Sequence, residues 1–353
     1  MKLSVIIANY NYRQFVGAAI ESALAVDWPA KEVIVVDDAS TDDSRSIIEG
    51  FHGRVAAYFR PKSYQLGAHI FGFEQSDGEI IIFLDADDLL EPEVMREVAK
   101  VWRPGVSKVQ YRMNLIDATG SQMGSAIPQF PRKDDPEKLR RSYLRTMTYT
   151  SPPGTGNAYS RELVRYVFAL GPTIPQSDAS LLTIAPILGD VLTIRKSLAR
   201  YRIHDASYGA MPSLNALKLR QRLHQDIEKA RLFATVTQRL RLPAAQDPLR
   251  QSSYHLECRL ASYLVEPGAH LFPEDTKGWL VGRLMFSVAK SSQMPLRDRA
   301  ILLGWAIACA LAPRYYCRRL ILWRFSPASR PTVIKTLLGV LGSLKSIRLP
   351  DRA

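Results

Sequence analysis

Three carboxylates stand close together where buried chain would be expected to end. In IIIFLDADDLL (80–90), five apolar residues run into Asp85, Asp87 and Asp88, with Ala86 between the first two. A second acidic pair, Asp37 and Asp38, closes EVIVVDD (32–38). Crowded carboxylates raise each other's pKa unless a cation neutralises them. Hard oxygen donors suit Mg²⁺ or Mn²⁺, which complete their shells with water and substrate phosphates. Such clusters can therefore hold a divalent ion, and the ion a diphosphate. Taken singly, each Asp reads equally well as a solvated loop residue or a helix cap. Two clusters placed at one edge of one sheet favour the chemical reading.

The elements that would position them alternate. LSVIIANYN (3–11), EVIVVDD (32–38), VAAYFR (55–60) and EIIIFLD (79–85) read as strands, with continuous apolar runs and many β-branched residues. RQFVGAAIESALA (13–25) carries Phe15, Val16, Ala19, Ile20, Ala23 and Leu24 on one helical face. Ser40 and Asp43 resemble a capping box opening a helix through Ile47 and Ile48, a short helix fits 67–76, and EPEVMREVAKVW places Pro92 near a helix start. This alternation predicts an α/β fold: a mainly parallel sheet with helices on both faces. Ligands bind such sheets outside the carboxyl ends of the strands, where both acidic clusters fall. Further on, 108–117 reads as strand, 118–124 as a Gly-rich turn and Pro128–Pro136 as a loop. Residues 160–170 and 178–188 read as helices, the second with Pro186 near its end, 190–204 as strand, and the chain beyond 213 as helical. PPGTGNAYS (152–160) could set backbone N–H groups, Gly156 and Asn157 beside an acceptor, or simply turn the chain into the next helix.

SVIIANYN, EVIVVDDASTD and GEIIIFLDADD, in this order and spacing, resemble the N-terminal half of a glycosyltransferase family 2 domain with the GT-A (Rossmann-like) fold. The resemblance is strong over about 3–116 and weaker over 150–208. It implies a donor that is a nucleotide-diphospho-sugar. Asp85-Ala86-Asp87 matches the family's D-x-D, so Asp87 would bind Mg²⁺ or Mn²⁺ and Asp85 would contact the nucleotide sugar, with Ala86 between them. Asp37 and Asp38 would contact the nucleoside, and Ala8, Asn9 and Tyr10 would border the same pocket. The family's general base is an Asp at a helix start. Asp178 matches it, 91 residues after Asp87, although Ser177 stands where a Glu usually precedes; Asp178 reads equally as an N-cap. His204, in YRIH, matches a histidine after the last core strand and would be a second metal ligand or a phosphate contact. Gln65, Gly67 and His69 replace the family's usual Asn-x-Gly region, and no Q-x-x-R-W occurs, which favours one sugar added per encounter over processive synthesis.

Charge divides the chain of 353 residues. Residues 1–208 carry 24 Lys and Arg against 25 Asp and Glu, while 209–353 carry 23 against 9, so the whole excess of +13 sits in the C-terminal part. A catalytic domain over 1–208 and a basic helical region over 209–353 are expected. AILLGWAIACALA (300–312) is too short to span a bilayer. RYYCRRLILWRF (314–325) can lie in an anionic membrane interface or pack as an ordinary helix, so membrane contact through 297–325 is an expectation. No nucleic-acid-binding motif accompanies the basic charge. Cys258, Cys309 and Cys317 have neither metal nor disulfide spacing, and the apolar run from Leu3 is too short for a signal peptide. A cytoplasmic protein, peripheral on the membrane's inner face, is expected, with a glycan or lipid-linked acceptor. Two rivals remain at this level. One is a phosphoacceptor receiver, disfavoured because the acidic pair ends the second strand. The other is a non-catalytic family member that binds a nucleotide and scaffolds an assembly.

Overall fold

The computed structural model describes residues 1–124, 126–131, 135–171, 176–204, 216–291, 294, 296–325 and 329–332. Its sheet has eight strands in the order β3-β2-β1-β4-β7-β6-β8-β5. These are β1 (Leu3–Asn9), β2 (Lys31–Asp37), β3 (Ala56–Phe59), β4 (Ile80–Asp85), β5 (Leu89–Leu90), β6 (Val106–Ile116), β7 (Asn157–Ser160) and β8 (Asp190–Arg202). β3, β2, β1 and β4 run parallel, as the sequence indicates. β7 is antiparallel to both β4 and β6, and β5 to β8, so the sheet as a whole is mixed. β1 sets the geometry of the edge: Asn9 pairs with Asp37 on one side and Ala8 with Asp85 on the other. Both acidic clusters are thereby brought to the carboxyl ends of neighbouring strands. Because β7 runs against β4, the turn that precedes β7 arrives at the same edge.

Helices cover both faces. On one, α1 (Val16–Leu24), α2 (Ser44–Glu49) and α4 (Val94–Val101) bury Val16, Ile20, Ile48 and Met95 against Val5, Ile7, Val35 and Ile82. On the other, α3 (Tyr64–Glu74), α5 (Pro136–Thr146), α6 (Arg161–Phe168) and α7 (Ser177–Leu188) pack Phe73, Tyr143, Val164 and Leu181 against Ile6, Ile34 and Ile81. The alternation of β1, with Val5 and Ile7 to one side and Ile6 to the other, is the period of a strand buried on both faces. Each such side chain contributes about 1.5–3 kcal/mol of burial.

Two local expectations differ from the structure. Ser40 is not the cap of α2: Asp43 holds that position without a side-chain bond, and Ser40 Oγ instead donates to Asp37 Oδ2 at 2.6 Å. Ser40 serves the acidic edge because Asp37 is the stronger acceptor within reach. The helix α5 follows directly where only a loop was expected. Asp135 caps it, accepting from Lys138 N at 2.8 Å, and Pro136 opens its first turn. Part of the 128–136 loop, residues 132–134, lies outside the described residues.

The chain divides into two compact units, Met1–Tyr208 with Glu228–Gln246, and Gly209–Ile227 with Asp247–Ala353. The boundary expected near residue 208 lies among 205–215, outside the described residues. Residues 228–246 group with the first unit because the end of α8 (Ala216–Arg239) buries Leu232, Phe233 and Val236 beside Tyr143 and Leu181. The second unit is helical, with α9 (Ser253–Val265), α10 (Lys277–Lys290), α11 (Leu296–Leu311) and α12 (Arg314–Phe325) around Leu256, Leu260, Leu284, Trp305 and Ile321. Among the described residues no helix is long and apolar enough to cross a membrane.

Candidate active site

The first acidic pair is held rather than free. Asp37 Oδ2 accepts from Asn9 Nδ2 at 2.8 Å, and Asp37 Oδ1 from Ser40 N at 3.0 Å. Asp38 Oδ1 accepts from Ser63 N and Oγ at 2.5 and 2.8 Å, and Lys62 Nζ lies 3.1 Å from Asp38 Oδ2. Lys62 also sits 2.8 Å from the ring centre of Tyr10, which is exposed. Ala8, Asn9, Tyr10, Asp37 and Asp38 thus line one wall at the ends of β1 and β2. Asn9 Oδ1 is buried there with no partner.

The second cluster is poorer in partners. Asp85 accepts from Gln65 Nε2 at 3.3 Å, and its own N–H donates to Thr155 Oγ1 at 3.1 Å. Burial, then the charges of Asp178, Asp88 and Asp87, push the Asp85 carboxyl well above the usual range. Asp88 is fully buried; burial and then Asp87 raise its pKa to about 8, although Asp88 Oδ1 accepts from Arg202 N at 2.9 Å. Asp88 Oδ2 has no partner. Asp87 Oδ2 lies 3.0 Å from His204 Nε2. The imidazole is held edge-on to Tyr12 and against Phe15, with ring centres at 6.0 and 5.1 Å.

Asp178 joins this group from the opposite side of the sheet edge. It lies in the first turn of α7, whose N-cap position is Gln176, so Asp178 is not the cap. Burial raises its pKa to about 6, and its Oδ1 is buried without a partner. Between it and Asp85 runs the 3-10 turn Gly154–Gly156. A Cβ at Gly154 would stand 2.7 Å from Asp178 Oδ2 and 3.2 Å from Asp85 Oδ2. Only glycine lets the backbone pass so close to both carboxylates. Gly156 packs on Pro152 and Met113, and Asn157 is wholly buried with its amide turned to the Pro153 and Gly154 carbonyls at 2.8 and 3.1 Å.

Residues 4–168 match the family described as glycosyl transferase family 2. The chain carries a glycosyltransferase domain of this family. An uncharacterized glycosyltransferase of Nostoc sp. is 34% identical over 215 residues, 59% of this chain and 66% of that protein. The poly(ribitol-phosphate) beta-N-acetylglucosaminyltransferase TarS of Staphylococcus aureus is 31% identical over 109 residues, 28% of this chain and 18% of TarS. The GalNAc(5)-diNAcBac-PP-undecaprenol beta-1,3-glucosyltransferase of Campylobacter jejuni is 36% identical over 95 residues, 25% of this chain and 30% of that enzyme. The matches thus span less than two thirds of these relatives' own lengths. The crystal structure of TarS 1–349 in complex with UDP-GlcNAc superposes with a TM-score of 0.54 at 17% identity, covering 92% of both chains, which establishes a shared fold.

Within the first compact unit, several neighbours of the carboxylates carried no sequence signal of their own. Gly154 and Thr155 lie in the stretch 152–160, read as an acceptor-side loop or a turn, without either residue being singled out. Arg202 reaches from β8 to the Asp87 carbonyl at 2.7 Å. Tyr12 and Tyr201 stand near the acids, each pushed up to about 12 by burial and then by Asp87 and Asp88 respectively. His69 is buried, its Nδ1 2.7 Å from Ser177 Oγ, and burial lowers its pKa to about 3.

The residues present fit a divalent cation in a limited way. Among the described residues no group of three or more His, Cys, Asp and Glu forms a metal cage. Asp87 and His204 converge as a pair, beside Asp85 and Asp88, two buried carboxyls whose pKa values burial raises. A pair suits an ion that takes its remaining ligands from water and phosphate.

Proposed function

We propose that the protein is a metal-dependent, inverting glycosyltransferase that moves one sugar from a nucleotide-diphospho-sugar to an acceptor hydroxyl, in cell-surface polysaccharide or glycolipid assembly. The observation that carries this reading is the convergence of Asp85 and Asp178 about Gly154, with Asp87 and Asp88 beside Asp85, in a chain whose residues 4–168 match family 2. The wall of Asp37, Asp38 and Tyr10 offers acceptors and a ring face to a nucleoside. Asp87 and His204 would hold Mg²⁺ or Mn²⁺, which as a Lewis acid stabilises a leaving diphosphate. Asp178, with a pKa near 6 and an unpartnered oxygen, is suited to take the proton of the attacking hydroxyl. The hydroxyl oxygen bonds to the anomeric carbon as the bond to the diphosphate breaks, which inverts that carbon in one displacement.

A glycan or lipid-linked acceptor accords with the acceptors for which TarS and the Campylobacter jejuni enzyme are named. A peripheral position on the cytoplasmic face of a membrane is part of the proposal. Residues 299–350 contain nine basic residues and no acidic one. Ile307, Leu311, Tyr315 and Tyr316 are exposed there, and an apolar cleft of about 500 Å³ opens between Leu311, Tyr316, Arg319 and Trp323. Flotation with anionic liposomes tests this part, and the absence of salt-sensitive binding would remove it.

The deciding experiment is calorimetric titration with UDP, GDP and dTDP, with and without Mn²⁺, on the protein and on Asp87→Ala. Metal-dependent binding of one nucleotide, weakened at least about tenfold by the substitution, is expected. Binding of none of the three would overturn the proposal.

A further inference from the structure

A lysine with no carboxylate partner is buried near the start of β6. Lys108 is fully buried, and its Nζ donates to three neutral oxygens: Tyr149 Oη at 3.0 Å, Ser151 Oγ at 2.9 Å and Asn157 Oδ1 at 3.0 Å. Burial alone presses its pKa well below the ordinary lysine value. A methionine would fill this volume without that cost, so the three bonds call for a reason.

Two of the three bonds lead towards Asp178, by different routes. Asn157 passes its amide hydrogens to the carbonyls of Pro153 and Gly154, the backbone that lies against the Asp178 and Asp85 carboxylates. Tyr149 passes its hydroxyl hydrogen to the Leu182 carbonyl in α7, at 2.9 Å. That carbonyl is free for a definite cause. Its helical partner would be the amide four residues on, and position 186 is proline, which has no N–H. Gln110, two residues along the same strand, holds the Thr150 carbonyl at 3.1 Å and so fixes the segment between the two routes. The Tyr111 hydroxyl holds the Thr155 carbonyl at 2.8 Å.

We infer that Lys108 is a positioning residue that clamps the helix bearing Asp178 to the turn bearing Gly154, and so fixes the distance between Asp178 and the Asp85–Asp87 cluster. The inference rests on the transfer reading only for its consequence in catalysis; the clamp itself rests on the hydrogen bonds. Pro186 gains a role in it: by withholding an amide, it leaves Leu182 open to Tyr149.

The test uses Lys108→Met and Tyr149→Phe in the full chain, with two readouts. In deuterium exchange, uptake at 153–157 and 177–183 should rise in both variants while β1 and β2 are unchanged. In turnover of the sugar nucleotide whose base binds in calorimetry, with water as acceptor, kcat should fall about tenfold or more with the nucleotide Kd held within about twofold. A lysine that merely fills the core would weaken both together through general loosening. Adding Pro186→Ala should shrink the Tyr149→Phe effect, because the restored amide takes the Leu182 carbonyl. Unchanged uptake at 153–157 and 177–183, or unchanged kcat in both variants, would overturn the inference. If Lys108→Met does not fold, Tyr149→Phe decides alone. Wild-type protein that turns over no sugar nucleotide would refute the transfer reading instead, and the exchange data would still settle the clamp.

Discussion

Buried charge is treated in opposite ways in the two compact units. In the second, Arg259 is buried with its guanidinium on Asp275 and, at 2.8 Å, on Glu274, and His270 closes on Asp275 at 2.8 Å. Glu257, raised by burial, is met by Arg324 at 2.5 Å. In the first unit, Asp85, Asp88 and Asp178 are pushed up together, and two of them hold an oxygen with no partner. A protein that builds complete ion pairs in one place is able to build them in another. On the proposed function, the cluster with raised pKa values is where metal and substrate would bind, while the paired network serves the fold.

The sharpest way to break this contrast is Asp178→Asn. Turnover should fall by about 10²–10⁴-fold, with nucleotide affinity unchanged in calorimetry. Surviving turnover would mean that the acid cluster lacks its base. The mirror experiment is Arg259→Met, which takes the guanidinium from the buried Asp275. Urea unfolding should show a loss of about 3–5 kcal/mol, and a loss below about 1 kcal/mol would place this network on a par with a surface pair.

Acidity gives a gentler test. Asp178 accepts a proton only as the carboxylate, so turnover should rise with pH through about 6 and level off above it. A rate profile whose acid limb lies near the ordinary Asp value, about 4, would show that burial does not govern the base. The smallest effect is expected for Asp88→Asn. The amide oxygen still accepts from Arg202 N, and a carboxyl with a pKa of about 8 is mostly neutral at pH 7. Stability should stay within about 1 kcal/mol of wild type, read by the same urea titration. A large loss would give Asp88 a cation within the fold.

The parallel half of the sheet was legible because strands buried on both faces leave unbroken apolar runs, and two of the four runs, β2 and β4, ended on acids. The same reasoning found α6, α7 and β8. It missed α5, although Asp135 and Pro136 form a recognisable start, because the polar stretch after Pro128 masked it. β7 and the two residues of β5 are too short to show a period, and β7 decides how the Gly154 turn meets Asp85. Lys108 was invisible for a different reason. One lysine inside SKVQYRM breaks no pattern, and its value lies in three oxygens from 41 to 49 residues away in the chain. Site residues that end strands announce themselves, whereas those that join distant segments do not.

Helix α8 carries a consequence for synthesis. Phe233 meets Tyr143 edge-on at 5.7 Å and closes the apolar side of the first unit together with Leu232 and Val236. A chain leaving the ribosome has translated the whole sheet by residue 202, yet the cover for Tyr143, Leu181 and Ile184 is still about 30 codons away. During that interval the nascent sheet shows a greasy flank, open to chaperones or to other nascent copies. A stop codon placed at the apparent end of the catalytic sequence would make that interval permanent.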